Sequence, residues 1–236
     1  MFKKVILPNS KNYIIWLNAL FLLYLLFFSN INPATIVFAY FIETNIIGFF
    51  HMLKMASATA YEVSLYGRKS TLGKRNLKKG AGATLFFIVH FGMFVFAQNF
   101  IVFQFFDQLI PGITPESNFF EKVGLMFQLD GMLEVLLSIF LLNLVLFLKN
   151  FIFTKEYKKN SPGEILFNPY LRVFTQQVIV LFSGVFLVFF PKQIAIALMV
   201  ILIRLFVDLV LNGSENDKMP IEKVMSFIFY SGSKKK

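Results

Sequence analysis

Cysteine is absent from the 236 residues. That excludes disulfides, thiol nucleophiles and Cys-ligated zinc or iron–sulfur centres. Histidine occurs only as His51 and His90, and none follows His90. Charge is sparse as well. Asp, Glu, Lys and Arg make up 15% of the chain, against about 25% in ordinary soluble domains. A soluble protein of this length would lack the polar surface to cover its core. Apolar residues fill the space: 57% of the chain is hydrophobic, with 33 phenylalanines and a mean hydropathy of +0.67. The phenylalanines spread over nearly every apolar run, so they read as lipid-facing filler rather than as an aromatic binding site. The formal net charge of +10 would point to nucleic acid in a soluble protein. Here the basic residues are distributed by loop, which points to membrane topology, and no nucleic-acid partner is expected.

A helix needs about 20 apolar residues to cross the hydrocarbon core. Six runs qualify: Tyr13–Asn30, Ala34–Leu53, Ala83–Phe106, Met132–Phe153, Val173–Phe190 and Ile194–Leu211. Pro33, Pro111-Gly112 and Pro191 fall between them as breakers. The first run follows Lys3, Lys4 and Lys11 and has no small-x-small cleavage site after it, so it is expected to stay as an uncleaved span. The expected fold is therefore all-α: a single polytopic membrane domain of six transmembrane helices over residues 1–236.

Lys and Arg alternate by segment along the chain. The amino-terminal segment has three, the first loop none, and the second loop, Lys54–Lys79, seven. The third loop has Lys122 alone, the fourth has five, the fifth only Lys192, and the carboxyl-terminal segment five. Basic segments stay on the cytoplasmic side, so both ends are expected to be cytoplasmic in a multi-pass cell-membrane protein. The second span is expected to continue as helix through Met55–Ala60 to a stop near Gly67, with Gly80-Ala81-Gly82 as the entry to the next helix. Arg68, Lys69, Lys74, Arg75, Lys78 and Lys79 then lie close to the inner leaflet. They either fix orientation or contact anionic lipid headgroups. The outer segment Asn118–Phe127 and the tail segment Val224–Tyr230 are candidates for lying flat at the interface. Homo-oligomerisation and protein partners are left open.

A few ionisable residues interrupt the apolar runs, and these are the candidate site. A charge at the centre of a membrane helix costs roughly 2.5–3.5 kcal/mol on insertion scales, so it normally has a partner or a job. Glu43 lies about 16 Å along the helix from Lys54, His90 about 12 Å from Gly82, and Arg204 about 12 Å from Asn212. These depths coincide. Arg204 and Asp208 are four apart and share a helix face, and His51 and Asp208 fall nearer the basic end. Glu43, His51, His90, Arg204 and Asp208 are thus expected to form one polar cluster facing the bundle interior. Used as titratable stations, they would serve a small transporter or channel. Used only as packing contacts, they would belong to a structural or accessory membrane protein.

Enzymatic readings have less support. Leu181-Phe182-Ser183-Gly184 lacks the leading glycine of an intramembrane serine protease, and no histidine follows it. Two histidines offset by about 7 Å in depth do not frame a haem. A zincin-like His pair and a Walker-type glycine loop are both missing. No catalytic residue, cofactor or metal ligand is assigned.

Several stretches resemble an uncharacterised prokaryotic membrane family, a domain of unknown function. Tyr40-Phe41-Ile42-Glu43-Thr44-Asn45-Ile46-Ile47-Gly48, followed by Leu53-Lys54, is similar to its Tyr/Trp-x-x-Glu-Asn-x-Ile-Ile-Gly core and downstream Leu-Lys. Phe87-Ile88-Val89-His90-Phe91-Gly92 resembles its Phe-x-x-His-Tyr-Gly segment. Pro169-Tyr170-Leu171-Arg172 and Arg204–Asp208 resemble its Pro-Tyr-x-Arg and basic-x-x-x-Asp segments. Thr44 stands where the pattern has Asn, and Gln176-Gln177 where it has His. The resemblance implies an integral membrane protein and no established activity.

Overall fold

The structure is a computed structural model, and it describes residues 6–29, 31–106, 109–167, 169–170, 173–174 and 193–217. Among these the chain is all helical, with seven α-helices. They are α1 (Tyr13–Phe28), α2 (Pro33–Tyr66), α3 (Thr71–Phe106), α4 (Phe119–Phe127), α5 (Met132–Phe147), α6 (Pro162–Ile165) and α7 (Gln193–Asp217). Helices α2, α3, α5 with its continuation, and α7 are each long and apolar enough to cross a membrane. These four suggest a multi-pass membrane protein. Helix α1 is apolar but only 16 residues long. Of the expected fifth span, 173–190, only residues 173–174 are described, and the tail segment 224–230 lies outside the described residues.

Helix α2 is the axis of the bundle. It packs against α3, α5 and α7, while α1 lies against α7 and α5. In the most apolar stretch of α2, 67% of residues are buried, against 28% in α3 and in α5. The difference marks α2 as interior and the others as peripheral. The outer faces of α1 and α3 carry Leu17, Leu20, Phe28, Phe86, Val89 and Met93, all exposed. A soluble monomer rarely shows apolar patches of that extent, whereas a lipid-facing surface requires them.

Local signals explain the helix ends. Asn32 accepts from the Ala34 N–H at 2.9 Å and Pro33 takes the first helical position, which together start α2. At the other end the chain reaches Gly67, whose φ of 75° closes the helix where the sequence places its stop. The entry to α3 differs from expectation. Helix begins at Thr71, not at Gly80–Gly82, because Ser70 Oγ accepts from the Gly73 N–H at 2.9 Å and the following Leu, Lys and Arg favour helix. The basic residues Lys74, Arg75, Lys78 and Lys79 therefore lie on helix rather than in a loop.

Two glycines set the α2–α3 spacing. A Cβ at Gly48 would fall 2.5 Å from the Phe91 ring, and one at Gly80 would overlap the Thr59 side chain. Small residues let membrane helices approach backbone to backbone. Within the segment 118–127, residues Phe119–Phe127 are helical, with Asn118 and Glu121 forming a reciprocal cap. Phe119 of α4 packs against Phe96, Phe100 and Phe103 of α3.

Candidate functional site

Four helices each place one polar side chain in a single buried layer: Asn18 from α1, Glu43 from α2, Asn143 from α5 and Arg204 from α7. Glu43 has 0% exposure. Arg204 Nε donates to Glu43 Oε2 at 2.7 Å and Nη2 donates to Oε1 at 2.9 Å. This bidentate geometry matches the planar guanidinium to the carboxylate. Arg204 Nη1 donates to Asn18 Oδ1 at 2.8 Å, and Asn143 Nδ2 donates to Glu43 Oε1 at 3.2 Å. Asp208, one turn along α7, has an oxygen 3.8 Å from Arg204 Nε.

The layer sits between two apolar clusters. On one side are Leu22, Phe38, Ile139 and Ile201 among others, and on the other Ile15, Leu142 and Leu209. Exclusion of water by both clusters strengthens each charge interaction and raises the penalty for breaking one.

A small polar cleft of about 120 Å³ adjoins this layer. It is lined by His51 and Lys54 of α2, Asn143 and Asn150 on the α5 side, and Asp208 and Asn212 of α7. Phe50 and Leu146 supply apolar wall. Helix α5 widens beside it into a π-helical turn, Leu148–Ile152, closed by Phe153 N–H donating to Leu148 O at 2.8 Å. Such turns re-aim side chains and recur at functional sites. Asn150 lies in that turn and donates to Asn212 Oδ1 at 3.3 Å.

The five residues expected to cluster are divided by the structure. Glu43 and Arg204 are hydrogen-bonded, and Asp208 lies beside them. His51 is buried at the cleft, with its ring 4.8 Å from that of Phe87. Its Nε2 has no hydrogen-bond partner among the described residues. His90 is elsewhere. It is exposed on α3, and its Nδ1 is 2.7 Å from Tyr170 Oη. The reason is azimuth. The stripe of α3 that is buried is Phe87, Phe91, Val95, Gln98 and Val102, and His90 falls off it. Matching depth alone does not set which way the ring faces.

Sequence reasoning from charge alone misses the amides Asn18, Asn143, Asn150 and Asn212. For Asn18 a signal exists: it is the one strongly polar residue in the run Tyr13–Phe28. Gln98 is likewise outside the expected cluster in spite of its depth, and it is buried with neither amide atom partnered among the described residues. No group of three or more His, Asp or Glu side chains among the described residues is arranged to hold a metal ion.

The motif segments noted in the sequence meet in pairs. The Glu43 segment touches the Arg204–Asp208 segment, and the His90 segment touches Pro169-Tyr170. A bundle of apolar helices with an internal ion pair is the class of protein these features define. The chain matches, over residues 1–223, the model of a family of unknown function (DUF6498), and it belongs to that family. No curated protein and no solved structure matches it.

Proposed function

We propose that the chain is a six-span membrane protein, with both ends cytoplasmic, in which Glu43 and Arg204 act as a fixed clasp for helix packing. The basic and non-basic segments alternate as that topology requires, and the apolar run 173–190 would supply the span that the described residues do not include. The observation that carries the clasp reading is the bidentate Arg204–Glu43 pair with Glu43 wholly buried. A carboxylate engaged on both oxygens and shut from solvent is poorly placed to exchange protons. It is well placed to hold four helices in one register, as a structural or accessory membrane protein would need. The helical basic residues near Lys74–Lys79 would sit at the inner leaflet, where they favour anionic headgroups.

A second reading, passage of a small solute or ion, draws on one observation: the polar cleft reaches from Lys54 to Asp208, beside the clasp. A direct relay between Glu43 and His90 gains no support, since His90 faces Tyr170 at the surface. Reconstitution into proteoliposomes separates the two readings. The parent, Glu43→Gln and His90→Ala are compared for proton leak and solute flux, with unfolding temperature measured on the same preparations. The clasp reading expects Glu43→Gln to lower the unfolding temperature and leave flux unchanged. A folded Glu43→Gln protein that loses a flux shown by the parent would overturn it in favour of transport.

A further inference from the structure

The short helix α4 divides its surface into sectors of different character. At about 100° per residue, Phe119, Val123 and Met126 share one arc, and all three pack into the main apolar cluster. Phe120 and Phe127 fall within about 20° of each other on the adjacent arc. Phe120 is 82% exposed and Phe127 52%. Gly124 lies beside them and adds no polar group. Glu121 and Lys122 lie off both arcs, and Glu121 accepts from the Asn118 N–H at 3.0 Å at the helix start. Water hydrates such a pair of rings unfavourably.

What the two rings adjoin identifies what covers them. The Phe119 ring lies 5.8, 6.2 and 5.4 Å from those of Phe96, Phe100 and Phe103 on α3, and Phe120 stands 5.7 Å from Phe119. Phe96 and Phe100 are themselves exposed, on the face of α3 that also carries exposed Met93. Phe120 thus prolongs the apolar face of α3 as a continuous band of rings. Depth agrees. Phe100 lies about 9 Å short of the end of α3 at Phe106, and interfacial helices bury their apolar face by about 5–10 Å. Thr35 Oγ1 donates to Asp130 O at 2.9 Å, which holds the chain after α4 against the start of α2.

We propose that α4 is a membrane-interface anchor, with Phe120 and Phe127 laid among the acyl chains just beneath the headgroups of the outer leaflet. Its partner is the lipid surface itself. The inference rests on the membrane reading above, and its leaflet on the proposed topology, but it does not depend on the clasp.

The test uses tryptophan fluorescence of the full chain in phosphatidylcholine vesicles, brominated either near the ester end or near the methyl end of the chains. Trp16, the one tryptophan of the sequence, is changed to Phe, and Phe120→Trp or Phe127→Trp is added. If Trp16→Phe unfolds, difference spectra against the parent give the same reading. Each new tryptophan should be quenched about twofold or more strongly by bromine near the ester end than near the methyl end, as suits a helix at that depth. Aqueous iodide should quench it little. Met93→Trp, on the exposed face of α3, should be quenched by brominated lipid too and serves as the reference for the membrane reading. Quenching at Met93→Trp with none at Phe120→Trp and Phe127→Trp overturns the anchor alone. Strong iodide quenching at both α4 positions would put the rings in water, and protection from iodide and bromine alike would put them against protein. Either result also overturns the proposal, as does stronger quenching from the methyl end. No lipid quenching at any position removes the membrane reading and the anchor with it.

Discussion

Arg204 Nη1 donates to Asn18 Oδ1 at 2.8 Å, and through this bond α1 joins a clasp otherwise made by α2, α5 and α7. Asn18 Nδ2 in turn donates to Ser138 O of α5 at 3.2 Å. One amide thus serves two neighbours, which a Leu at this position would not do. An apolar helix facing lipid gains little from apolar contact alone, because lipid is as apolar as a neighbouring helix. Polar contacts of this sort are what select one partner face over another.

Removing one member of the ion pair should harm the protein far more than removing both. Arg204→Met leaves a buried carboxylate uncompensated and is expected to cost about 3–5 kcal/mol, whereas Glu43→Leu with Arg204→Met should recover most of that loss. Denaturant or thermal unfolding in one detergent provides the comparison. A double variant as unstable as the single one would show that the two residues do not act as a pair.

The asparagines should rank below the arginine. Asn18→Leu withdraws a partner from a charged donor and is expected to cost about 1.5–3 kcal/mol, in keeping with hydrogen bonds to charged groups. Asn143→Leu should cost less, about 1 kcal/mol, since its contact to Glu43 is longer at 3.2 Å and Glu43 keeps both bonds to Arg204. The order Arg204, Asn18, Asn143 is the outcome to check by the same unfolding measurement.

The glycine seam between α2 and α3 makes a steric prediction. Gly48→Ala should destabilise by bringing a methyl against the Phe91 ring, and Phe91→Leu introduced with it should relieve part of the loss. A coupling of about 0.5 kcal/mol or more between the two changes is expected for residues in contact. Purely additive effects would mean that the helices re-space freely.

Topology can be read with single cysteines, because the chain has none of its own. Cysteine at Ser117, in the loop before α4, should react with an impermeant thiol reagent applied to intact cells. Cysteine at Ser70, at the start of α3, should react only after permeabilisation. Equal labelling at both sites from outside would overturn the proposed orientation.

Apolar run length and breakers make most of the helical order legible in the sequence. The end of α2 at Gly67 is legible too, because a residue tolerant of positive φ suits that way of closing a helix. The start of α3 is not, because Gly80 and Gly82 resemble a break, although Ser70 caps the helix ten residues before Gly80.

What the sequence determined by itself was composition, periodicity and depth: apolar helices, a carboxylate in α2, and an arginine with an aspartate one turn on. Those follow from rise per residue and from the cost of charge in an apolar medium. The tertiary structure alone decided azimuth and partners. Glu43 meets Arg204 across 161 positions of sequence, Asn18 and Asn143 complete the layer, and His90 turns away to Tyr170. Helical periodicity gives each side chain a direction relative to its own axis. Which direction is inward depends on how whole helices pack, and packing is a property of all of them together.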